Sequence, residues 1–287
     1  MNFRIFTARK VLGIISAVIV VFFVTMMVPQ HSQVTNSTYT GPPKAVIIDQ
    51  LYDQIPNEYF TEQATKYLET GGYEVDIFTT EDVTVDFFKN LPSMNYQFIV
   101  VRTHGAAEKN KDSVVLFTGE RYQEDKYISE QLFGEIKRGT PLQQVIITST
   151  LGNTTEVEVI NSTAFSFTSK AHVETRATDE YFVVTPKLVK DLMVGTFPGS
   201  VFILGGCNTM QDDSMARSLI ERGATTVVGW DDSVSNIDND ESILLLLEEV
   251  LVNNMEVGDA VDFVRTNFKI TDGYSSGILK HYSNGDL

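Results

Sequence analysis

The sequence predicts an α/β fold in which a mainly parallel central sheet is flanked by helices. Short apolar runs alternate with amphipathic helical patterns from residue 44 to residue 268, as in successive β-α units. Two of these runs are followed by a reactive polar residue, His104 and Cys207. In open parallel sheets the ligand crevice lies at the carboxyl ends of the strands, so both residues are expected at one cleft.

The first part of the predicted domain alternates strand and helix. Phe60, Ala64 and Leu68 share one face of a predicted helix at 59–69, which Gly71 ends. A shorter helix is predicted at 83–90. The predicted strands are at 45–49, 73–78 and 97–102. This βαβαβ start implies parallel strands joined by right-handed crossovers.

The segment 106–180 is predicted to be an irregular insert. A helix is expected at 124–138 and a strand at 145–147, and the alternating runs 157–160 and 165–168 predict an exposed antiparallel hairpin over the cleft. The regular pattern resumes after residue 181. Strands are predicted at 182–184, 200–205 and 225–229, and helices at 186–193, 212–222, 240–253 and 257–268.

The N-terminus precedes this domain with three segments. Residues 1–10 carry Arg4, Arg9 and Lys10, and residues 11–28 are 18 positions without a charge. This run is long enough to span a bilayer, whereas the apolar region of a signal peptide has about 7 to 15 residues. We expect a single-pass signal anchor with a cytoplasmic N-terminus, a flexible linker at 29–43 and an extracytoplasmic domain at 44–287. A cleaved signal peptide is the alternative.

Charge and cysteine content limit the partners. All 38 acidic side chains follow residue 43, together with 19 of the 22 basic ones, which gives that part a net charge of −19. This field argues against nucleic acid as a partner. Cys207 is the only cysteine, so no disulfide within the chain is available.

His104 and Cys207 together suggest nucleophilic catalysis. A cysteine nucleophile attacks as the thiolate, and a positioned imidazole favours that state and protonates the leaving amine. Taken singly, each residue has a structural interpretation, because cysteines are often small core residues and histidines often occupy hydrogen-bonded turns. Their common place at strand ends favours catalysis.

The surrounding motifs resemble those of the caspase-like cysteine peptidases, which include caspases, gingipains, separases and prokaryotic CHAT-type homologues. The resemblance covers roughly residues 44–268, and 106–180 contributes nothing to it. The residues that carry it are His104-Gly105, Gly206-Cys207-Asn208-Thr209, Ala216, Leu219, Gly223-Ala224 and Val227-Val228-Gly229-Trp230.

This resemblance implies a three-layer caspase-like fold and a His104/Cys207 endopeptidase that needs no cofactor. Gly105 and Gly206 would let the substrate backbone approach, and the Gly105 and Cys207 amides would form the oxyanion pocket. Candidate substrate-binding residues are Asp49, Trp230, Asp231 and Asp232, of which the acids would select a basic P1 side chain. A core or rim role for the tryptophan and a solvated-turn role for the acids are the alternatives.

Metal binding and two other functions are alternative interpretations of the sequence. Asp238, Asp240 and Glu241 lack the spacing of a calcium loop, and His172 and His281 lack paired ligands for zinc, so no metal site is predicted. A glutamine-amidotransferase-like hydrolase would need its catalytic histidine after the cysteine, where His281 stands. A catalytically inactive ectodomain that serves as a binding or scaffold module is the third hypothesis.

Overall fold

The structure is a computed structural model that describes residues 41–107, 113–141, 144–151, 154–161, 172–175, 179–271 and 273–286. For the strands between 144 and 175 the description covers the backbone alone. In chain order the strands are β1 (Lys44–Asp49), β2 (Glu74–Thr79), β3 (Tyr96–Arg102), β4 (Gly105–Ala107), β5 (Val114–Arg121), β6 (Ile136–Gly139), β7 (Gln144–Leu151), β8 (Thr154–Asn161), β9 (His172–Thr175), β10 (Tyr181–Val184), β11 (Val201–Gly205), β12 (Thr226–Trp230) and β13 (Leu279–Ser283). The helices are α1 (Glu58–Thr70), α2 (Val85–Asn90), α3 (Ile128–Phe133), α4 (Pro186–Asp191), α5 (Ser214–Glu221), α6 (Asn236–Leu251) and α7 (Val257–Asn267).

Six strands form the central sheet, in the order β13-β12-β11-β3-β1-β2. Every neighbouring pair in it is parallel except β12 and β13, so the predicted mainly parallel α/β sheet is confirmed. The chain starts at β1, next to one edge of the sheet, continues to the edge strand β2 and then returns past β1 to β3. This reversal creates a topological switch point between β1 and β3, where crevices form at the carboxyl ends of the strands.

Helices cover both faces of this sheet because its strands are apolar on both sides. Ile99 and Val101 of β3 pack with side chains of α2, α4 and α5, whereas Phe98 and Val100 pack with those of α1, α6 and α7. All four side chains are almost fully buried. Each contributes about 1.5–3 kcal/mol of hydrophobic stabilisation. Two apolar cores thus hold the strand that leads to His104.

Polar side chains fix where the helices beside the sheet begin. The Asn57 side chain accepts a hydrogen bond from the Phe60 amide at 3.0 Å and caps α1. The Ser235 hydroxyl does the same for the Asp238 amide at 3.1 Å and caps α6. Each cap satisfies a backbone donor that the first helical turn leaves unpaired.

The insert between β3 and β11 consists mostly of β-strands. The predicted helix at 124–138 is wrong, because the observed helix is much shorter. Only Ile128–Phe133 is helical, because Gly134 adopts a left-handed φ of 74° and ends the helix. Residues Ile136–Gly139 then pair antiparallel with β10 in a second sheet of order β4-β5-β10-β6. A third sheet has the order β8-β7-β9. The predicted strand 165–168 lies outside the described residues.

Residues from Gly41 to Leu287 cluster as one unit. The predicted cytoplasmic segment 1–10, the signal anchor 11–28 and nearly all of the linker 29–43 lie outside the described residues. Within the described part of the chain, no helix combines the length and the apolar character needed to cross a bilayer.

Candidate active site

The two strands that lead to His104 and Cys207 are direct neighbours in the central sheet. They pair in parallel, with Arg102 opposite Gly205 in register. One further hydrogen bond of 2.9 Å, from the Thr103 amide to the Gly205 carbonyl, continues the pairing beyond the strands. His104 and Cys207 follow at the same edge of the sheet, so the prediction that they end neighbouring strands is confirmed.

Gly105 and Gly206 keep the two chain segments in contact beyond the strands. A Cβ at Gly105 would lie 2.3 Å from the Cys207 carbonyl oxygen, and one at Gly206 would lie 2.3 Å from the Thr103 carbonyl oxygen. These distances are too short for any side chain, so only glycine fits at either position. The main chain of residue 105 therefore touches that of Cys207.

The imidazole of His104 is held on the side of the site that faces β1. Its Nε2 lies 3.2 Å from Gln54 Oε1, and its ring meets Phe117 edge-on at 5.8 Å. Gln54 Nε2 donates to the Tyr181 hydroxyl at 3.1 Å, which leaves Oε1 as the acceptor for the imidazole. His104 therefore carries its proton on Nε2, and its Nδ1 has a free lone pair that suits a general base.

Burial keeps this imidazole neutral. Desolvation, assisted by the positive charge of Arg102, lowers the pKa of His104 to about 4. The backbone amide of His104 donates to Gln50 Oε1 at 3.1 Å, and the side-chain Nε2 of Gln50 is buried with no hydrogen-bond partner among the described residues.

The thiol of Cys207 is held on the other side of the site. Its Sγ donates to the Val234 carbonyl at 3.3 Å and accepts from the Val234 amide at 3.5 Å. Burial raises the pKa of the Cys207 thiol, and hydrogen bonds from backbone amides offset only part of that effect. The resting cysteine is therefore a neutral thiol.

The imidazole and the thiol thus occupy neighbouring strand ends without a hydrogen bond between them. His104 Nε2 is bonded to Gln54 and Cys207 Sγ to Val234, each on its own side. Catalytic hydrogen bonds are often long or absent before substrate binds. The described arrangement is a resting site with both groups uncharged.

A buried ion network lies directly beneath the site, and sequence reasoning missed it. Arg102 is fully buried and donates to Asp240 at 2.8 Å through Nε, to Asp49 at 3.0 Å through NH1 and to the Ile55 carbonyl at 2.9 Å. The only signal in the sequence is an arginine that ends an otherwise apolar strand. Burial raises the pKa of Asp49, and the guanidinium opposes this effect. The network ties β1, β3 and α6 together below His104.

The four predicted substrate-binding residues differ in burial and in their contacts. Asp49 is buried in the Arg102 network, and Trp230 is 3% exposed, with its Nε1 donating to Asn239 at 3.0 Å. Asp231 pairs with Lys280 at 2.9 Å and accepts from the Ile278 amide. Asp232 is exposed, and its charge acts on the Cys207 thiol. Of these four, Asp232 alone combines an exposed carboxylate with a position beside the cysteine.

No protein-family model matches the chain, and no curated protein is significantly similar to it.

Proposed function

We propose that the protein is a membrane-anchored, extracytoplasmic, caspase-like cysteine endopeptidase that uses a His104/Cys207 dyad. The observation that carries the proposal is the direct parallel pairing of β3 and β11, which brings both residues to one sheet edge. The strand order and the helices on both faces also suit the three-layer caspase-like fold. Protein or peptide is the substrate, and no metal or cofactor takes part.

The proposed reaction has two steps. Cys207 Sγ attacks the scissile carbonyl carbon and forms a C–S bond, while its proton passes to His104 Nδ1 and then to the leaving amine as the C–N bond breaks. Water next attacks the acyl-thioester, which releases the carboxylic acid and restores the thiol. The Gly105 and Cys207 amides would stabilise the oxyanion in both steps. Substrate binding has to turn the two side chains from Gln54 and Val234 toward each other.

Asp232 is the proposed determinant of a basic P1 side chain. Its carboxylate is exposed beside the thiol, so an arginine or lysine of the substrate reaches it without breaking a buried ion pair. The acidic charge of the domain favours the same substrates. The proposed anchor at 11–28 would hold this activity at the outer face of the membrane.

One observation favours a second candidate function, a catalytically inactive caspase-like ectodomain that binds a partner. The two groups of the dyad have separate hydrogen-bond partners, and burial keeps the thiol protonated. A glutamine-amidotransferase-like reaction has less support. Its candidate histidine, His281, lies within β13 opposite Val228, and its ring lies against Gly258 of α7.

Hydrolysis of a peptide library by the full-length chain tests the proposal. The wild type should cleave peptides after basic residues, whereas Cys207→Ala and His104→Ala should lose at least about 100-fold in kcat/KM, as expected when a nucleophile or general base is removed. His281→Ala is the matched control and should cleave as the wild type does. Cleavage that survives Cys207→Ala, or a wild type that cleaves nothing, would reject the peptidase in favour of the binding module.

A further inference from the structure

The peptide group between Val234 and Ser235 contacts the Cys207 thiol on one side and a serine hydroxyl on the other. Its carbonyl oxygen accepts the 3.3 Å hydrogen bond from Cys207 Sγ, and its N–H donates to Ser275 Oγ at 2.9 Å. Because a peptide group is planar and rigid, the bond to Ser275 sets the direction in which the carbonyl points. Ser275 therefore helps to fix the place of the resting thiol.

The Ser275 hydroxyl in turn donates to the buried carboxylate of Asp238 at 2.6 Å. Asp238 is 0% exposed, and its other carboxylate oxygen accepts from the Thr271 amide at 2.9 Å and from the Thr271 hydroxyl at 2.7 Å. Burial acts to raise the pKa of Asp238, but the hydrogen bonds from Ser275 and Thr271 lower it below its usual value. The carboxylate is therefore ionised at neutral pH.

These contacts form an unbroken chain of hydrogen bonds from the carboxylate of Asp238 to the sulfur of Cys207. Every donor in it points toward the carboxylate: the thiol to the Val234 carbonyl, the Ser235 amide to Ser275, and the Ser275 hydroxyl to Asp238. Hydrogen bonds aligned in this way polarise one another, so the negative charge makes the Val234 carbonyl a stronger acceptor for the thiol proton. A thiolate has no proton to donate, and its charge would face the carbonyl oxygen. The chain therefore favours the neutral thiol.

We propose that Asp238 is a positioning residue that, through Ser275, holds the Cys207 thiol protonated against the Val234 carbonyl until substrate displaces it. The reaction described above does not use Asp238, and the cap of α6 uses its backbone amide rather than its carboxylate. The role of this contact in peptide hydrolysis rests on the proposed function, because only the peptidase has a step in which the sulfur must leave the carbonyl. The effect on the resting thiol is independent of hydrolysis.

The pH dependence of Cys207 alkylation by iodoacetamide tests the proposal on the full-length chain, whose single cysteine makes the signal unambiguous. Ser275→Ala breaks the chain of hydrogen bonds but keeps the charge of Asp238. It should shift the rate profile to lower pH and speed alkylation about threefold at neutral pH, with the same rate once the thiol is fully ionised. Asp238→Asn should shift the profile in the same direction, whereas Ser275→Thr keeps the hydroxyl and should give the wild-type profile.

The matched control is Ser242→Ala, which removes a buried hydroxyl of α6 that donates to the Asn239 carbonyl at 3.0 Å. It should leave the profile unchanged. A Ser275→Ala profile that coincides with that of the wild type, or one that moves to higher pH, would overturn the proposal. A shift in Asp238→Asn alone would also overturn it, because the charge would then act without the chain of hydrogen bonds.

The thiolate absorbance of each variant in the far ultraviolet gives the ionisation curve without a reagent, which separates ionisation from access. Faster alkylation of Ser275→Ala with an unshifted absorbance curve would mean that the serine only restricts access to the thiol, and this result too would contradict the proposal. Neither measurement depends on hydrolysis, so a chain that cleaves no peptide but shows the shift would refute the peptidase and leave this inference standing.

Discussion

Replacing Arg102 with leucine should cost the protein about 3–5 kcal/mol of stability at neutral pH. The substitution removes a guanidinium that pairs with Asp49 and Asp240, and the side chains of these two acids are 0% and 4% exposed. Two carboxylates would remain buried without a cation, and such a loss is a large part of the roughly 5–15 kcal/mol that stabilises a typical domain.

The same network determines how the stability loss of Arg102→Leu depends on pH. Burial already raises the pKa of Asp49, and Arg102 opposes that shift, so the substitution should raise the pKa further. A carboxyl whose pKa is raised on folding destabilises the fold as pH rises through the interval between its unfolded and folded values. The stability deficit of Arg102→Leu should therefore be largest at neutral pH and shrink as pH falls toward about 4.

Urea unfolding followed by the fluorescence of Trp230, the single tryptophan, measures both effects. Arg217→Leu is the matched control, because Arg217 pairs with Asp213 at the surface and should contribute only about 0–1 kcal/mol. A deficit for Arg102→Leu no larger than that of the control, or one that grows in acid, would refute the assignment of the network as a buried ionic support of the site.

Two further predictions concern the site itself. Gly206→Ala should abolish hydrolysis and lower the free energy of unfolding by about 1–3 kcal/mol, because its Cβ would lie 2.3 Å from the Thr103 carbonyl oxygen. The control is Gly273→Ala, whose Cβ would have no heavy atom within 4 Å. It should change neither the activity nor thermal unfolding. His104→Ala should leave the pH profile of Cys207 alkylation unchanged while it stops hydrolysis, because burial lowers the pKa of His104 to about 4 and its ring is neutral at higher pH. A profile shifted to higher pH in that variant would indicate an imidazolium–thiolate pair at rest.

The apolar runs made most of the central sheet predictable. Strands such as 97–102 and 200–205 are buried on both faces and therefore appear as continuous hydrophobic segments followed by a polar residue. Since parallel strands end at a common edge, the placement of His104 and Cys207 at one edge followed from the pattern, whereas the direct pairing of their strands is seen only in the structure. The pattern of apolar and polar residues thus predicted both the central sheet and the edge of that sheet at which the site lies.

The contacts that complete the site depend on long-range pairing that no local pattern encodes. Arg102 is charged at the end of an apolar strand, and only the positions of Asp49 and Asp240 explain why it is buried. The segment after α7 packs against residues 233–235 beside Cys207, and this packing follows from the antiparallel edge strand β13, which the sequence did not predict. The predicted helix at 124–138 failed for a similar reason, since β10 pairs with Ile136–Gly139.

Detection of an acyl-enzyme is the most direct test of the central claim that Cys207 is a catalytic nucleophile. The full-length chain would be mixed with an activated ester of a peptide that ends in arginine, quenched in acid and digested for mass spectrometry. The account predicts one acyl group, located on Cys207, that forms in the wild type and is nearly absent in His104→Ala. A wild-type Cys207 that remains unmodified, or one acylated equally fast without His104, would contradict it.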